Sequence, residues 1–243
     1  MKKYIFIATI VIAPFMMTGC IGTEKEAYSR YLDYQTKTHL MFPLKGESYI
    51  GWGGRTLKQN AHASLKDQRF ALDIVALKEG HAVLSAKEVE KDTFKTYSGD
   101  ENLNESYYIF NREVLATGAG TVVATKNNIA DNIPGTGKYK PNRKEPAGNY
   151  VVLDHGNGEF SMFAHLKYQS VYVRKGDSVE QGDVLGLCGN SGNSTEPHLH
   201  YHVQNTKEWQ RGEGLPAQFN DYIANGTFVK RGEPIRGQIV QPK

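Results

Sequence analysis

The sequence predicts a mainly β fold, and three observations carry that expectation. Short runs rich in Val, Tyr and Phe recur along the chain. Gly, Asn, Asp or Lys separates most of them, as expected of strands joined by turns. No amphipathic stretch is long enough for a convincing three-turn helix, although Ser85 to Phe94 has room for a short one. Composition agrees: 39% hydrophobic and 23% charged residues is ordinary for a globular protein. A length of 243 residues allows one large domain or two small ones with a full core.

The first twenty residues read differently. Lys2 and Lys3 precede an apolar run from Tyr4 to Met17, interrupted by Pro14, and small residues lead into Cys20. A positive start, an apolar segment too short to span a bilayer comfortably and then small residues form a secretory signal. Met17-Thr18-Gly19-Cys20 also looks like a bacterial lipobox, in which Cys20 is acylated and becomes the mature N-terminus. The competing reading is an ordinary signal peptide cut nearby. Removing residues 1–19 lowers the formal charge from +3 to +1 by deleting Lys2 and Lys3. A chain so close to neutral gives no argument for nucleic acid. Cys20 and Cys188 are the only cysteines. Lipidation of Cys20 would exclude an intramolecular disulfide, and Cys188, in an apolar stretch, reads as a buried structural thiol.

Residues 21–45 are polar and mixed in charge, and read as a tether plus the approach to the domain. Gly51-Trp52-Gly53-Gly54 marks a turn-rich entry. The expected strands follow at Phe70 to Leu77, Thr121 to Thr125, Asn149 to Asp154, Phe160 to His165, Val171 to Val173, Asp183 to Leu187 and His198 to Gln204. Two inserts interrupt them. Residues 78–107 are charged and polar, and residues 126–148 carry Pro134, Pro141 and Pro146. Loops this long in a compact β domain tend to flank function, and they are expected to wall a groove. The polar tail from residue 205 is not expected to be a separate domain.

Chemistry concentrates in three of the strands. In Pro197-His198-Leu199-His200-Tyr201-His202-Val203, alternation puts the three imidazoles on one face and Leu199, Tyr201 and Val203 on the other. Same-face neighbours lie about 6.6 Å apart, at about 3.3 Å rise per residue. That spacing suits one His binding a metal while the next reaches a metal-associated water; the alternative is the polar outer face of an ordinary strand. Asp73 is the sole charge in Phe70 to Leu77. A carboxylate in a buried strand is costly unless it is paired or binds metal, so Arg69 and a metal ion are the two candidate partners. His165 ends the apolar strand Phe160 to Leu166, where a lone His is commonly structural. His62 lies in a polar loop. Two His and one carboxylate with an open fourth position is a catalytic zinc arrangement, and two cysteines are too few for a Cys-rich structural site.

Taken together, these stretches resemble the core of lysostaphin-type (LytM-like) zinc metallopeptidases, a family of peptidoglycan endopeptidases. The blocks that carry the resemblance are Gly148-Asn149-Tyr150-Val151-Val152-Leu153-Asp154-His155-Gly156, Phe163-Ala164-His165-Leu166, Val173-Arg174-Lys175-Gly176-Asp177 with Gln181-Gly182-Asp183, and Cys188-Gly189-Asn190-Ser191-Gly192 through Pro197-His198-Leu199-His200. Their order and spacing match, and coverage runs from about residue 60 to 204. The resemblance implies an antiparallel sheet with a groove, of the barrel-sandwich-hybrid type, with long loop inserts. It implies Zn2+ held by His200, Asp73 and a further His, and catalytic, non-ligand roles for His165 and His198. The compact family motif places the first His ligand four residues before the Asp, where this chain has Arg69. The variant with Gln68-Arg69-Phe70-Ala71-Leu72-Asp73 points instead to His62, with His81 as the alternative. No role is implied for His155 or His202.

The domain boundaries expected on this basis are a signal peptide at 1–19, a lipid-anchored tether at 20–45, the peptidase domain at 46–204 and a C-terminal extension of the same domain at 205–243. The expected activity is hydrolysis of peptidoglycan peptide bonds by an exported, membrane-anchored lipoprotein. The competing class is an inactive relative that binds the wall or activates another hydrolase. A biotinyl- or lipoyl-type carrier shares the turn chemistry of Val173 to Asp183, but no Lys flanked by Asp or Met stands at the right distance.

Overall fold

A computed structural model describes residues 25–78, 95–135, 142 and 144–243. Thirteen strands are present among them: β1 Ser48–Trp52, β2 Leu72–Val75, β3 Glu113–Leu115, β4 Gly120–Lys126, β5 Asn149–Asp154, β6 Phe160–Leu166, β7 Ser178–Val179, β8 Val184–Leu187, β9 Leu199–Gln204, β10 Gly214–Leu215, β11 Phe219–Ala224, β12 Thr227–Gly232 and β13 Ile239–Pro242. Helical structure among the described residues is limited to two 3₁₀ turns, Ala61–Ser64 and Asn104–Ser106. The fold is mainly antiparallel β, as the sequence predicts. The signal and lipobox residues, His81 and the short helix expected at Ser85 to Phe94 lie outside the described residues.

Eleven strands form one sheet in the order β12-β11-β13-β1-β2-β9-β6-β5-β4-β7, with β10 paired to β9. β3 and β8 pair separately. Every ladder between named strands is antiparallel. Leu72, Ile74, Phe163, Leu199, Tyr201 and Val203 on one face of the large sheet share a core with Val114 and Leu185 of the small one. Cys188 is a fully buried free thiol in that core, as expected of a structural cysteine.

Val171 to Val173 forms no strand; Tyr172 is exposed, although its amide still donates to the Leu185 carbonyl. Gly51 and Trp52, read as the start of a turn-rich entry, instead end β1, whose partners come from residues 239–240 and 73–75, distant in sequence. The tail contributes β10 to β13 to the same sheet. Asn225 and Gly226 join β11 to β12 with φ of 48° and 76°. A two-residue Asn-Gly loop with both residues left-handed matches the twist of a hairpin.

The stretch read as a tether is built into the fold over its second half. Leu40, Phe42 and Leu44 are buried core residues. The Met41 amide donates to the Thr117 carbonyl at 2.8 Å. Glu159 clamps the preceding residues: it accepts from the Tyr34 hydroxyl at 2.8 Å, the Lys37 amide at 2.6 Å, the Thr38 amide at 2.8 Å and the Thr38 hydroxyl at 2.5 Å. Burial pushes its pKa up, but the bonds from Thr38, Lys37 and Tyr34 outweigh this and hold the carboxylate below its ordinary range. Glu159→Gln keeps the shape but turns a donor toward these donors, and should cost about 2 kcal/mol in urea unfolding at neutral pH. The folded pKa is depressed, so this stabilisation is present above the unfolded carboxylate's pKa and is lost as pH falls through the lower folded value. The gap between variant and wild type should close over that acidic window. A gap that does not change with pH would contradict the charged clamp.

Candidate metal and active site

The site forms where β2, β9 and β6 lie side by side in the large sheet. Asp73 pairs directly with His200 across the β2–β9 ladder, and His200 pairs with Ala164 on β6. Directly paired residues share a face, so Asp73 and His200 meet opposite the face that carries Leu72, Leu199 and Tyr201. His198 and His202 follow the same alternation.

His165 does not follow it. Phe163 and Leu166 both belong to the core, and strict alternation would put His165 on the core side with Phe163. Here Leu166 pairs with Asn149 and Phe163 with Val151, so β6 carries one extra residue relative to β5. His165 adopts φ 61°. A bulge with a left-handed residue re-aims a side chain, and this one turns His165 until its ring stands 4.7 Å from that of His198. A non-glycine residue held in this conformation costs on the order of 1 kcal/mol and is concentrated at functional sites.

His62 comes from the 3₁₀ turn Ala61–Ser64. Asn60 caps this turn and is fully buried. Its Nδ2 faces the carbonyls of Gly54, Arg69 and Ala71 at 3.1, 3.3 and 3.0 Å, which fixes the amide orientation. Its Oδ1 must then accept, from the His62 amide and from His62 Nδ1, both at 3.0 Å. In neutral His62 the proton is thereby placed on Nδ1, leaving Nε2 with a lone pair.

Three imidazole nitrogens converge on Asp73. His200 Nδ1 is 2.9 Å from Oδ1, His198 Nε2 is 3.7 Å from Oδ1 and His62 Nε2 is 3.7 Å from Oδ2. Arg69, the alternative partner from sequence, turns its guanidinium to the carbonyls of Ala63 and Arg55 instead. His62, Asp73 and His200 each offer one ligand atom, all within 4.8 Å of one another. His81 lies outside the described residues.

Burial holds His62 at about 4, only partly offset by the Asp73 charge. Burial also pushes His165 well below its ordinary value, reinforced by His198 and His200. For Asp73 burial raises the pKa, but His62, His198 and His200 outweigh it and the carboxyl is held ionised. A buried carboxylate faced by the lone pair of a neutral imidazole is poorly satisfied by the protein alone. Two imidazoles and a carboxylate with ligand atoms this close match the donor set for Zn2+.

His165 and His198 point their outer nitrogens away from this cluster. His165 Nδ1 donates to the Ser191 carbonyl at 2.8 Å, and His198 Nδ1 to the Glu196 carbonyl at 2.9 Å. Their Nε2 atoms therefore carry the lone pairs in the neutral rings. The described parts of both inserts approach the segment leading to His198. The Thr96 hydroxyl donates to Glu196, Asn190 Nδ2 donates to Asn104 Oδ1, and Asn132 Nδ2 donates to the carbonyls of Gly192 and Ser194. Sequence reasoning missed Asn60 as the residue that aims His62, and the place of His202 and Gln204, taken up below.

The carboxylate and two imidazoles brought together in the middle of the antiparallel sheet could hold a metal ion. Residues 107–211 match the model of peptidase family M23. His165, His198 and His200 fall inside it; His62 and Asp73 fall before it. Over 90 residues the chain is 44% identical to the peptidoglycan DD-endopeptidase ShyA of Vibrio cholerae, covering 37% of this chain and 17% of that protein. Over 62 residues it is 40% identical to the DD-carboxypeptidase/endopeptidase Mpg of Neisseria meningitidis, covering 26% and 14%. It thus spans less than a fifth of the length of these curated relatives. A crystal structure of a zinc-containing peptidase from Vibrio cholerae superposes with a TM-score of 0.33 at 26% identity, covering 47% of this chain and 29% of that one.

Proposed function

We propose that this chain is an exported zinc metalloendopeptidase that hydrolyses peptide cross-links in bacterial peptidoglycan. The observation that carries the reading is the convergence of His62, Asp73 and His200 beside two further imidazoles whose Nε2 atoms are free to take a proton. The names of the two relatives, both peptidoglycan or DD-type endopeptidases, support the substrate class.

His62 through Nε2, Asp73 through its carboxylate and His200 through Nδ1 would hold the metal. Zinc in such a site supplies Lewis acidity, which polarises a carbonyl and acidifies water towards neutral pH. His165, kept neutral by burial, accepts a proton as water adds to the scissile carbonyl carbon. Once His165 or His198 carries that proton, its Nε2–H stabilises the developing negative oxygen and then passes the proton to the departing amine as the C–N bond breaks. Water is consumed, and a carboxylate and an amine are released. Export is part of the same proposal: residues 1–19 serve as the signal peptide and Cys20 as the lipid anchor in the cell envelope.

Digestion of purified peptidoglycan by the metal-loaded protein tests the activity. Mass analysis should show cross-linked muropeptides converted to monomers. Membrane-extracted protein should begin at an acylated Cys20. If the protein binds zinc and adheres to the wall but releases no fragment from any peptidoglycan type, it is a binding module.

A further inference from the structure

β9 continues past His200 with two more polar residues on the same face, and neither has a part in the mechanism above. His200, His202 and Gln204 are all buried, at 2%, 1% and 0% exposure. Buried polar groups at that depth require partners, and here they partner one another in a line. His200 Nε2 lies 2.9 Å from His202 Nδ1, and His202 Nε2 lies 3.1 Å from Gln204 Oε1. Gln204 Nε2 ends the line by donating to the carbonyls of Thr206 at 2.7 Å and Glu208 at 3.2 Å. Trp209 packs over both imidazoles, with ring centroids 5.8 Å from His200 and 5.4 Å from His202.

The line has a direction. Two carbonyls can only accept, so the Gln204 atom facing them is the amide nitrogen and its oxygen faces His202. That oxygen can only accept, so His202 Nε2 carries a proton. In neutral His202, Nδ1 is then an acceptor, and His200 must donate from Nε2. The Nδ1 lone pair of neutral His200 is then directed at the cluster, 2.9 Å from Asp73 Oδ1, a distance at which a lone pair and a carboxylate need a cation or a proton between them. Asn60 does the same for His62 from the other side, with the opposite nitrogen.

We propose that His202 and Gln204 are positioning residues for the metal: a hydrogen-bond relay, anchored on the Thr206 and Glu208 carbonyls, that fixes the tautomer and ring orientation of His200 so that Nδ1 is presented to the ion. The proposal rests on the reading of His62, Asp73 and His200 as the ligand set. Outer-shell partners of this kind orient a ligand imidazole and raise its basicity, and losing one weakens metal binding about 10–100-fold.

The test is zinc affinity of the full chain, measured by competition with a chromogenic chelator, together with nitrogen-15 NMR of the histidine rings. His202→Phe keeps a ring under Trp209 but removes the acceptor, and should weaken zinc binding about 10–100-fold. His202→Gln returns an acceptor oxygen and should recover most of the affinity, which a purely structural role for the ring would not. In zinc-loaded wild type, His200 should carry its proton on Nε2. A His202→Phe variant that binds zinc as tightly as wild type overturns the relay, as does a His200 proton found on Nδ1. If His202→Phe does not fold, the wild-type tautomer decides alone. His200→Ala separates the two readings. If it loses zinc while His202→Phe does not, the relay is wrong and the ligand set stands; if it keeps zinc, the ligand set itself is wrong.

Discussion

His165→Ala and His198→Ala should each lower peptidoglycan hydrolysis by on the order of 10²–10⁴-fold while zinc remains bound, the usual loss when a positioned acid or base is removed. Neither ring is needed to hold the ion, because His62, Asp73 and His200 already bring three ligand atoms within 4.8 Å. Both aim Nε2 inward, each with Nδ1 tied to a backbone carbonyl. The left-handed backbone at His165 is as costly for Ala as for His, so the substitution removes the imidazole without adding strain at φ 61°. The measurement is metal content beside product release on the same purified variants. A His165→Ala protein that keeps full activity would falsify the role given to that ring. Loss of zinc in either variant would move the residue from proton transfer into the ligand set.

Asp73→Ala should purify without zinc and show no hydrolysis. Two imidazoles remain, but the anion that balances the ion's charge is gone. A bound metal stabilises the folded state in proportion to the logarithm of its excess, about 2.7 kcal/mol at a hundredfold excess over Kd. Wild type should therefore melt at a higher temperature with added zinc, and Asp73→Ala should not respond. The same titration distinguishes the candidates for the third ligand. His62→Ala should lose the response and His81→Ala should keep it; the reverse pattern would give the place to His81.

The parts of this site that were legible in the sequence are those that obey a simple period. β9 alternates strictly, so the common face of His198, His200 and His202 could be read directly, and the isolated charge of Asp73 announced itself within an apolar strand. His165 breaks the period. Only the extra residue in β6 places it with the others, and no residue type in Phe160–Leu166 signals a bulge. Asn60 acts through three carbonyls spread over residues 54 to 71, a convergence that appears only once the chain is folded. Other misses left a signal. Leu40-Met41-Phe42-Pro43-Leu44 is an unbroken apolar run, a cue for burial rather than for a solvated tether, and Asn225-Gly226 is a strong two-residue hairpin cue for β11 and β12. β12 itself is largely exposed, and its polar sequence carries no alternation to read.

The order of strands bears on how this protein can be cut. A fragment trimmed to residues 107–211 would keep β9 and discard β2. Asp73 and His62 would go with it, so the fragment would keep one of the three proposed ligands, His200. It would also present β9 as a bare flank, with Leu199, Tyr201 and Val203 stripped of the neighbouring Leu72 and Ile74. An uncovered apolar strand flank invites pairing between molecules. Removing residues 214–243 does comparable harm from the other end, because β13 is the strand that flanks β1, which in turn supports β2. A recombinant fragment therefore needs both the segment that begins near Tyr34 and the C-terminal strands, and inactivity or aggregation of a shorter piece says nothing about the intact protein.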